Sequence, residues 1–372
     1  MTMTMAKTYA DDFTATFVME DPFMAFLRER EANAAWKTGR ASSLQIAALT
    51  EDEYMPPDIW EDTMRGTGLL LMTASQDFPV RGCAVKTLLD RAGISGSALR
   101  KVTKPVLAGI LNQCLEVSRG DALLRIADYK VSAVHAGDEN DYVPLEIPEL
   151  FRLAADYLRA NFPACTFAGG AFDHSLTTAV WELTGETGLV KAYRDALALH
   201  GLGFTEITPA VRLSSSDVGV SGANLYPALI TGVRGSGVTL GHPLKLEHRA
   251  GASLARFEEQ LSLLYSQYTL ALKSLTGLLE IEIRSPVNCL LGVCKRVGVT
   301  KKLAYEAAQA FVDHYGDGPC TAHDVYYGIN EAVFLLQCGG ASGSRVVQAE
   351  ETVARALSVR WGEYDIPGEF KW

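Results

Sequence analysis

The residues best suited to chemistry lie between positions 213 and 248, where serine, aspartate and histidine alternate with glycine turns. Ser216 could serve as a nucleophile, Asp217 as an orienting acid, and His242 or His248 as a base. The stretch lacks the Gly-x-Ser-x-Gly pattern that presents a serine nucleophile on a sharp turn. A hydrolase or nuclease built on these side chains is therefore one hypothesis, but we name no catalytic residue.

The same polar residues also fit ordinary turn chemistry. Serine and aspartate beside glycine commonly bond to their own backbone, and this description fits Ser216, Asp217 and Gly219. The later turn at residues 235–237 could approach a phosphate with its amides, but no Lys-Ser/Thr pair follows it as in a P-loop. We expect a hairpin that shapes a sheet, and we keep Ser216, Asp217, Gly219 and His248 as motif residues that could contact a ligand.

Two clusters of cations interrupt an otherwise acidic chain. The first follows the glycine turns and is opposed only by Glu247, and the second lies near residue 300, with no acid until Glu306. Segregated cations of this kind can neutralise a nucleic-acid backbone. The cations that we assign to nucleic-acid binding are Lys245, Arg249, Lys295, Arg296, Lys301 and Lys302.

The second cluster lies at a predicted corner between two helices. Lys295 and Arg296 close one helix, where cations complement the macrodipole. Lys301 and Lys302 open the next helix, at the end where cations are unfavourable. A nearby anion would explain the second pair, so we predict phosphate contact at this corner.

An aromatic residue of the third C-terminal helix could add stacking. Tyr327 lies next to Tyr326 and three residues before Asn330, and an exposed tyrosine can stack on a base. Packing in the core is the commoner role of tyrosine, and both interpretations stay open. We predict no metal, since no His-x-His or His-x3-His pair and no carboxylate cluster with ligand spacing occurs, and we predict no cofactor.

Composition restricts the class of protein. The 372 residues are 48% hydrophobic and 21% charged, which is typical of a folded globular chain. The net charge of -10 repels phosphate backbones, so nucleic-acid binding requires a segregated basic face. The amino-terminal sequence MTMTMAKTYADD lacks the apolar region of a signal peptide, and the longest apolar runs are too short to span a bilayer. We expect a cytoplasmic location in a bacterial host cell and no membrane partner.

The periodicity of apolar residues predicts an α+β fold: a central, mainly antiparallel sheet covered by helices, with a long spine helix and a C-terminal all-helical part. The spine helix is predicted over 253–280, and an earlier helix over 21–39. Alternating apolar residues on both sides of Asp128-Tyr129 predict a hairpin. We place a mixed α+β domain at 1–284 and a helical subdomain at 285–372.

Four runs occur in a recognisable order: KTLLDRAGISGSALRKV, LLRIADYKVSAVHAGDENDYVPLEIPELF, VRLSSSDVGVSGANLYPALITGV with His248 downstream, and TAHDVYYGINEAVFLL. This order resembles the domain family of unknown function numbered 932, whose members are often labelled phage/plasmid-like proteins. The resemblance covers about residues 81–336. Ser215, Ser216, Asp217 and Gly219 match the family's Asn-Ser-Glu/Asp-x-Gly motif. The following Cys-x-Asn-Gly is absent here, and His248 is followed by Arg-Ala-Gly where the family has His-x-Gly. The resemblance also covers Asn330, which we count with the motif residues.

The resemblance implies a mobile-element context, alongside DNA-processing and anti-defence functions. Our first hypothesis is a non-enzymatic protein of DNA metabolism or recombination that binds single-stranded DNA and anneals strands as a homo-oligomer. The alternative is a protein–protein assembly or anti-defence factor that binds no nucleic acid. The long apolar stripe of the predicted spine helix supports the alternative.

Overall fold

A computed structural model describes residues 9–51, 55–138, 141–202, 206–231 and 236–372. Residues 1–8, on which part of the expectation about signal peptides depends, lie outside the described residues. Gly235 of the suggested phosphate turn lies outside them as well.

Helices and short strands alternate along the chain, and this confirms the predicted α+β class. The helices of the described residues are α1 (Glu20–Ala32), α2 (Pro57–Arg65), α3 (Ala84–Arg91), α4 (Lys104–Glu116), α5 (Ile147–Asn161), α6 (Thr187–Leu199), α7 (Leu254–Leu261), α8 (Leu264–Gly277), α9 (Pro286–Val297), α10 (Lys301–Tyr315), α11 (Ala322–Cys338) and α12 (Gly343–Ala354). The strands are β1 (Thr14–Phe17), β2 (Ala34–Arg40), β3 (Gln45–Ala48), β4 (Leu69–Met72), β5 (Asp77–Pro79), β6 (Asp121–Ala127), β7 (Lys130–Ala136), β8 (Cys165–Asp173), β9 (Leu176–Leu183), β10 (Ile207–Ser215), β11 (Ala223–Thr231), β12 (Ser236–Thr239), β13 (Leu244–Leu246), β14 (Glu282–Ile283) and β15 (Cys320–Thr321).

The main sheet is antiparallel and has the strand order β1-β8-β9-β10-β11-β12, with β13 also paired to β11. Buried residues follow one another along most of β10 and β11 instead of alternating with exposed ones. Both faces of these strands are therefore covered, and α5, α6, α8 and α12 pack against the sheet. This confirms the predicted helix-covered, mainly antiparallel sheet.

A smaller N-terminal unit has its own apolar core. It contains the sheets β2-β6-β7 and β3-β4-β5, and its core draws on α3 and α4. The hairpin predicted at Asp128-Tyr129 is confirmed: both residues have positive φ, 51° and 63°. Two such residues in succession are the mark of a type I′ turn, whose twist matches that of the strands.

Two predicted helices are shorter than expected. The helix predicted over 21–39 ends at Ala32, and Trp36 lies on β2, which pairs with β6 along its full length. Pairing with a distant strand overrides local helix propensity there. The spine helix is divided into α7 and α8 by a tight turn in which the Leu263 amide donates to the Gln260 carbonyl. The apolar stripe continues because Leu261 and Leu264 are both buried.

The C-terminal region contains α9 to α12 and one short pair of strands, β14 and β15, so the predicted concentration of helices there is confirmed. Its buried residues form one apolar cluster with the main sheet and the helices that cover it. The predicted division at residue 284 stays a prediction. Within the described residues, no helix combines the length and apolar character needed to cross a bilayer.

Candidate functional site

The motif predicted at residues 216–219 forms a tight loop directly after β10. The Ser216 hydroxyl accepts hydrogen bonds from the amides of Val218 and Val220, each at 3.2 Å. Gly219 has a φ of 77°, and a Cβ there would lie 3.2 Å from Cε1 of His135. The motif serine and glycine therefore shape the loop, as turn chemistry predicts.

Asp217 projects from this loop onto a buried arginine of β6. The Nε of Arg125 donates to Asp217 at 2.7 Å, and its two terminal nitrogens donate to Glu31 of α1 at 3.1 and 2.6 Å. Arg125 is 4% exposed. Burial works against its charge, but Asp217 and Glu31 raise the pKa of Arg125 overall. The two carboxylates thus hold one guanidinium where α1, the small sheet and the main sheet meet.

Three aromatic rings stack beside the same loop. The ring of Tyr142 is parallel to His135 and to His248, with centroid separations of 3.7 and 5.0 Å. His135 Nε2 lies 3.0 Å from the Asp217 carbonyl, and His248 Nδ1 lies 3.1 Å from the Val143 carbonyl. Each of these nitrogens must donate, because a carbonyl can only accept. Burial lowers the pKa of both histidines, which favours neutral rings.

We name these residues the motif cluster: Glu31, Arg125, His135, Tyr142, Asp217 and His248. It unites two of the predicted motif residues with partners that the sequence reasoning did not assign to them. Among the described residues no hydrogen bond joins Ser216 to His248, whose Nδ1 faces the Val143 carbonyl instead. The other suggested base, His242, lines a depression beside the C-terminal helices. Asn330 lies apart on α11, where its amide donates to the Tyr326 carbonyl.

A second set of buried charges adjoins the motif cluster. Arg81 contacts Asp11 at 3.3 Å and Asp128 at 3.5 Å, and Lys130 pairs with Asp11 and Asp62. A cavity of about 30 Å³ lies close by, lined by residues that include Arg125, Asp217 and His174. A space of this size holds only about one or two waters, so it is too small for an organic substrate.

The first predicted basic cluster is partly neutralised. Lys245 and Arg249 both pair with Glu247, at 2.7 and 3.1 Å. The hydrogen bond from Lys245 lowers the pKa of Glu247, so this carboxylate stays charged. Arg249 lines a shallow surface together with Tyr142 and His135, whereas the nearby His242 lines a separate depression with residues of the C-terminal region.

The second predicted basic cluster lies at a helix corner, as expected. Helix α9 ends at Val297, and α10 begins at Lys301 without an acidic residue in its first turn. Lys302 lies 3.7 Å from Glu306, whereas Lys301 lies over the ring of Tyr305 and Lys295 over the ring of Phe370. Each of these cations lies near the surface, so the corner is available to an anion.

Arg296 of this corner also lines a surface depression of about 630 Å³. Arg355, Arg360 and His242 line it too, and its only acidic lining residue among those described is Glu363, 3.4 Å from Arg360. We call this the arginine depression. The sequence reasoning missed Arg355 and Arg360 because they lie far along the chain from Arg296, flanking a short apolar segment.

Tyr327, predicted as a possible stacking residue, packs inside the C-terminal helices. Its hydroxyl lies 3.1 Å from that of Tyr193 of α6, and its ring lies 4.8 Å from His323. Tyr364 is the aromatic residue that lines the arginine depression. Tyr364 is half-buried and its side chain also packs beside Gly292 of α9, at a position that the sequence analysis did not name.

The buried partners of Arg125 had only an indirect signal in the sequence. Arg125 and Lys130 interrupt apolar strands, and a charge inside a buried strand requires a partner. Their partners Glu31, Asp62 and Asp217 lie 68 to 94 residues away, so the sequence pattern could not identify them.

Comparisons with protein-family models, curated proteins and solved structures find no match to this chain. The family resemblance based on the four runs stays a prediction. Among the described residues, no group of three or more histidine, cysteine or carboxylate side chains is arranged to hold a metal ion.

Proposed function

We propose that this protein binds single-stranded DNA through the arginine depression and the adjoining helix corner. The observation that carries the proposal is the convergence of Arg296, Arg355 and Arg360 around one concave surface, opposed by Glu363 alone among the described lining residues. The chain as a whole has a charge of -10. A local excess of cations on such a chain is suited to an anionic partner.

Arginine is the cation best suited to this contact. Its planar guanidinium can donate two parallel hydrogen bonds to one phosphate. Within the described residues, Arg296 and Arg355 form no ion pair, although Arg355 donates to the Thr352 hydroxyl. Both are exposed, so they can contact a phosphate without first losing a carboxylate partner.

The surroundings favour a single strand over a duplex. Tyr364 lines the depression, and a tyrosine can stack only on a base whose face is free. Lys301 and Lys302 lie beyond Arg296 at the uncapped start of α10, where backbone amides add to their attraction for a phosphate. A strand that follows these groups would contact both the depression and the corner.

The biological context of the proposal comes from the resemblance to family 932. It is a mobile-element protein of DNA metabolism, acting without covalent chemistry in the cytoplasm of a bacterial host. Strand annealing requires that several chains hold DNA side by side, so this extension depends on a homo-oligomer.

Fluorescence anisotropy with a labelled oligothymidylate tests the proposal. For single strands, the slope of log affinity against log salt is about -0.7 per phosphate contact. We expect wild-type binding to be salt-dependent and the triple variant Arg296→Gln/Arg355→Gln/Arg360→Gln to lose about 2 units of slope. The matched control is Lys245→Gln/Arg249→Gln, which removes two cations already paired with Glu247. Absence of binding at low salt, or an unchanged slope in the triple variant, would contradict the proposal.

Assembly of identical chains is the second candidate function. Leu263 and Leu270 are 53% and 61% exposed, and residues seven apart lie on one face of a helix. Light scattering would show a discrete oligomer in the wild type and a smaller species in Leu263→Ser/Leu270→Ser. If the wild type is a monomer at all concentrations, both assembly and annealing fail, while single-strand binding is tested independently.

A further inference from the structure

A wide, half-open cavity in the N-terminal unit belongs to neither charged region. It has a volume of about 930 Å³ and lies in the N-terminal unit, between the end of α2, helix α3 and the start of α4. Cavities that bind small organic molecules measure about 300–1,000 Å³. Its size therefore fits a small-molecule site.

The wall of this cavity is mainly apolar. Its apolar lining residues are Leu69, Val85, Leu89, Ile94, Leu99, Val102 and Leu107. Four of them, Leu89, Ile94, Leu99 and Val102, are partly buried and pack against the separate core of the N-terminal unit. Apolar side chains are thus left partly uncovered on a floor supported by a packed core, and an apolar ligand would cover them.

Cations surround this apolar surface. Lys86, Arg100 and Lys104 line the cavity, and Asp90 is the acid that accompanies them. No ion pair within the described residues involves any of these three cations. Three unpaired cations beside one carboxylate leave an excess positive charge that favours an anionic group.

The stem of Lys104, which lines the cavity, packs beside Gly68. A Cβ added to Gly68 would lie 3.5 Å from Cγ of Lys104, an ordinary van der Waals contact. Gly68 has a φ of 62°, a conformation that glycine adopts without strain. Glycine is therefore favoured at this position by its backbone conformation, and the segment it begins supports the stem of Lys104.

We propose that this cavity binds a small amphipathic anion, with an aliphatic body against the apolar wall and an anionic head against Arg100 and Lys104. A carboxylate and a phosphate monoester share the chemistry that these cations recognise. The inference does not depend on DNA binding, because the cavity and the arginine depression share no lining residue.

Isothermal titration calorimetry on the full chain tests the inference with four ligands of equal chain length: octanoate, octyl phosphate, octanol and octyltrimethylammonium. We expect one anion to bind per chain, with octanol and the ammonium compound binding more weakly. The ratio of the affinities for octanoate and octyl phosphate then identifies the preferred head group.

The variant Arg100→Gln/Lys104→Gln should weaken anion binding by about tenfold or more. Lys101→Gln is the matched control, because Lys101 is an exposed neighbour that does not line the cavity. Leu99→Phe, which adds bulk to the apolar wall, should weaken binding without changing charge. Circular dichroism confirms that each variant is folded.

Four results would overturn the inference. The first is that neither anion binds, and the second is that octanol binds as tightly as the anions. The third is that Arg100→Gln/Lys104→Gln and Lys101→Gln lose the same affinity. The fourth is that oligothymidylate displaces the anion in the variant Arg296→Gln/Arg355→Gln/Arg360→Gln. The last result would instead assign the cavity to nucleic acid.

Discussion

Arg125 and Arg355 place the same guanidinium group in opposite surroundings. Arg125 is buried between Glu31 and Asp217, which take up most of its donors. Arg355 lies at the surface of the arginine depression, beside Arg296 and Arg360. The first arrangement holds elements of the fold together, whereas the second keeps its donors available.

This difference separates the role of a motif from that of a binding surface. The matched motif residues lie at the junction of α1, the β2-β6-β7 sheet and the main sheet, where Asp217 and the ring stack connect parts of the chain. The described contacts of Arg355 and Arg360 in the depression are with residues three positions away in the chain. We infer that substitutions in the motif cluster change stability first and that substitutions in the depression change binding first.

The largest expected effect is on Arg125. Arg125→Met leaves Glu31 and Asp217 without the cation that they share, and removing one partner of a buried ion pair costs about 3–5 kcal/mol. The free energy of unfolding from urea denaturation should fall by about this amount. Arg355→Met, the exposed control, should change it by no more than about 0.5 kcal/mol.

The triple variant Arg125→Met/Glu31→Gln/Asp217→Asn shows whether the loss comes from uncompensated charge. Removal of both carboxylate charges should restore part of the stability lost in Arg125→Met. If the triple variant is less stable than Arg125→Met alone, packing and not charge explains the effect.

The second prediction concerns pH and the buried His174, which lines the small cavity beside Arg125 and Asp217. Burial, followed by the charges of Arg81 and Arg30, lowers the pKa of His174 to about 2. In the unfolded chain the pKa is about 6.5. As the pH falls below that value, the unfolded chain binds a proton that the folded chain does not, so the free energy of unfolding decreases.

For His174 the expected loss is about 2 kcal/mol between pH 6.5 and pH 5. His174→Gln should remove this part of the pH dependence, which urea denaturation at several pH values measures. The control His242→Gln, at an exposed position in the arginine depression, should keep the wild-type slope. A His174 variant with an unchanged slope would show that the folded protein protonates this histidine.

The sequence predicted the fold well where local patterns decide it. The β6-β7 hairpin follows from alternating apolar residues around a turn, and α4, α5 and α9 each begin with a proline in the first turn. The strand at Ala34–Arg40 was missed because its pairing with β6 depends on residues about 90 positions away. Local propensity carries no information on such a partner.

The candidate site was only partly predictable for the same reason. The corner with Arg296, Lys301 and Lys302 is continuous in sequence and could be found. Arg355 and Arg360 join Arg296 only through folding, as Glu31 and Asp217 join Arg125. A search of the sequence finds charged residues that lie close together along the chain. These sites instead combine single charged residues from separate elements.

The third prediction concerns stacking in the arginine depression. Stacking of one base on an aromatic side chain contributes about 1–3 kcal/mol. Tyr364→Leu should therefore weaken binding of oligothymidylate by about tenfold, and the salt slope should not change because no cation is removed. Tyr327→Leu is the control, since Tyr327 packs against Tyr193 inside the molecule. Equal losses in affinity for the two variants would exclude Tyr364 as a stacking residue.

The smallest expected effect has the opposite sign. Glu363 is the described acidic residue that lines the depression, and its contact with Arg360 is exposed, with side-chain exposures of 59% and 87%. Such pairs contribute about 0.2–1 kcal/mol, so Glu363→Gln should leave the free energy of unfolding nearly unchanged. It should strengthen oligothymidylate binding by up to about fivefold, because Arg360 becomes free for phosphate and one repulsive charge is lost.

Glu369→Gln, which changes an exposed acid outside the depression, is the matched control in the same anisotropy titration. If Glu363→Gln weakens binding, Glu363 positions Arg360 for the phosphate instead of competing with it, and the contrast between paired arginines in the core and available arginines at the surface does not hold for Arg360.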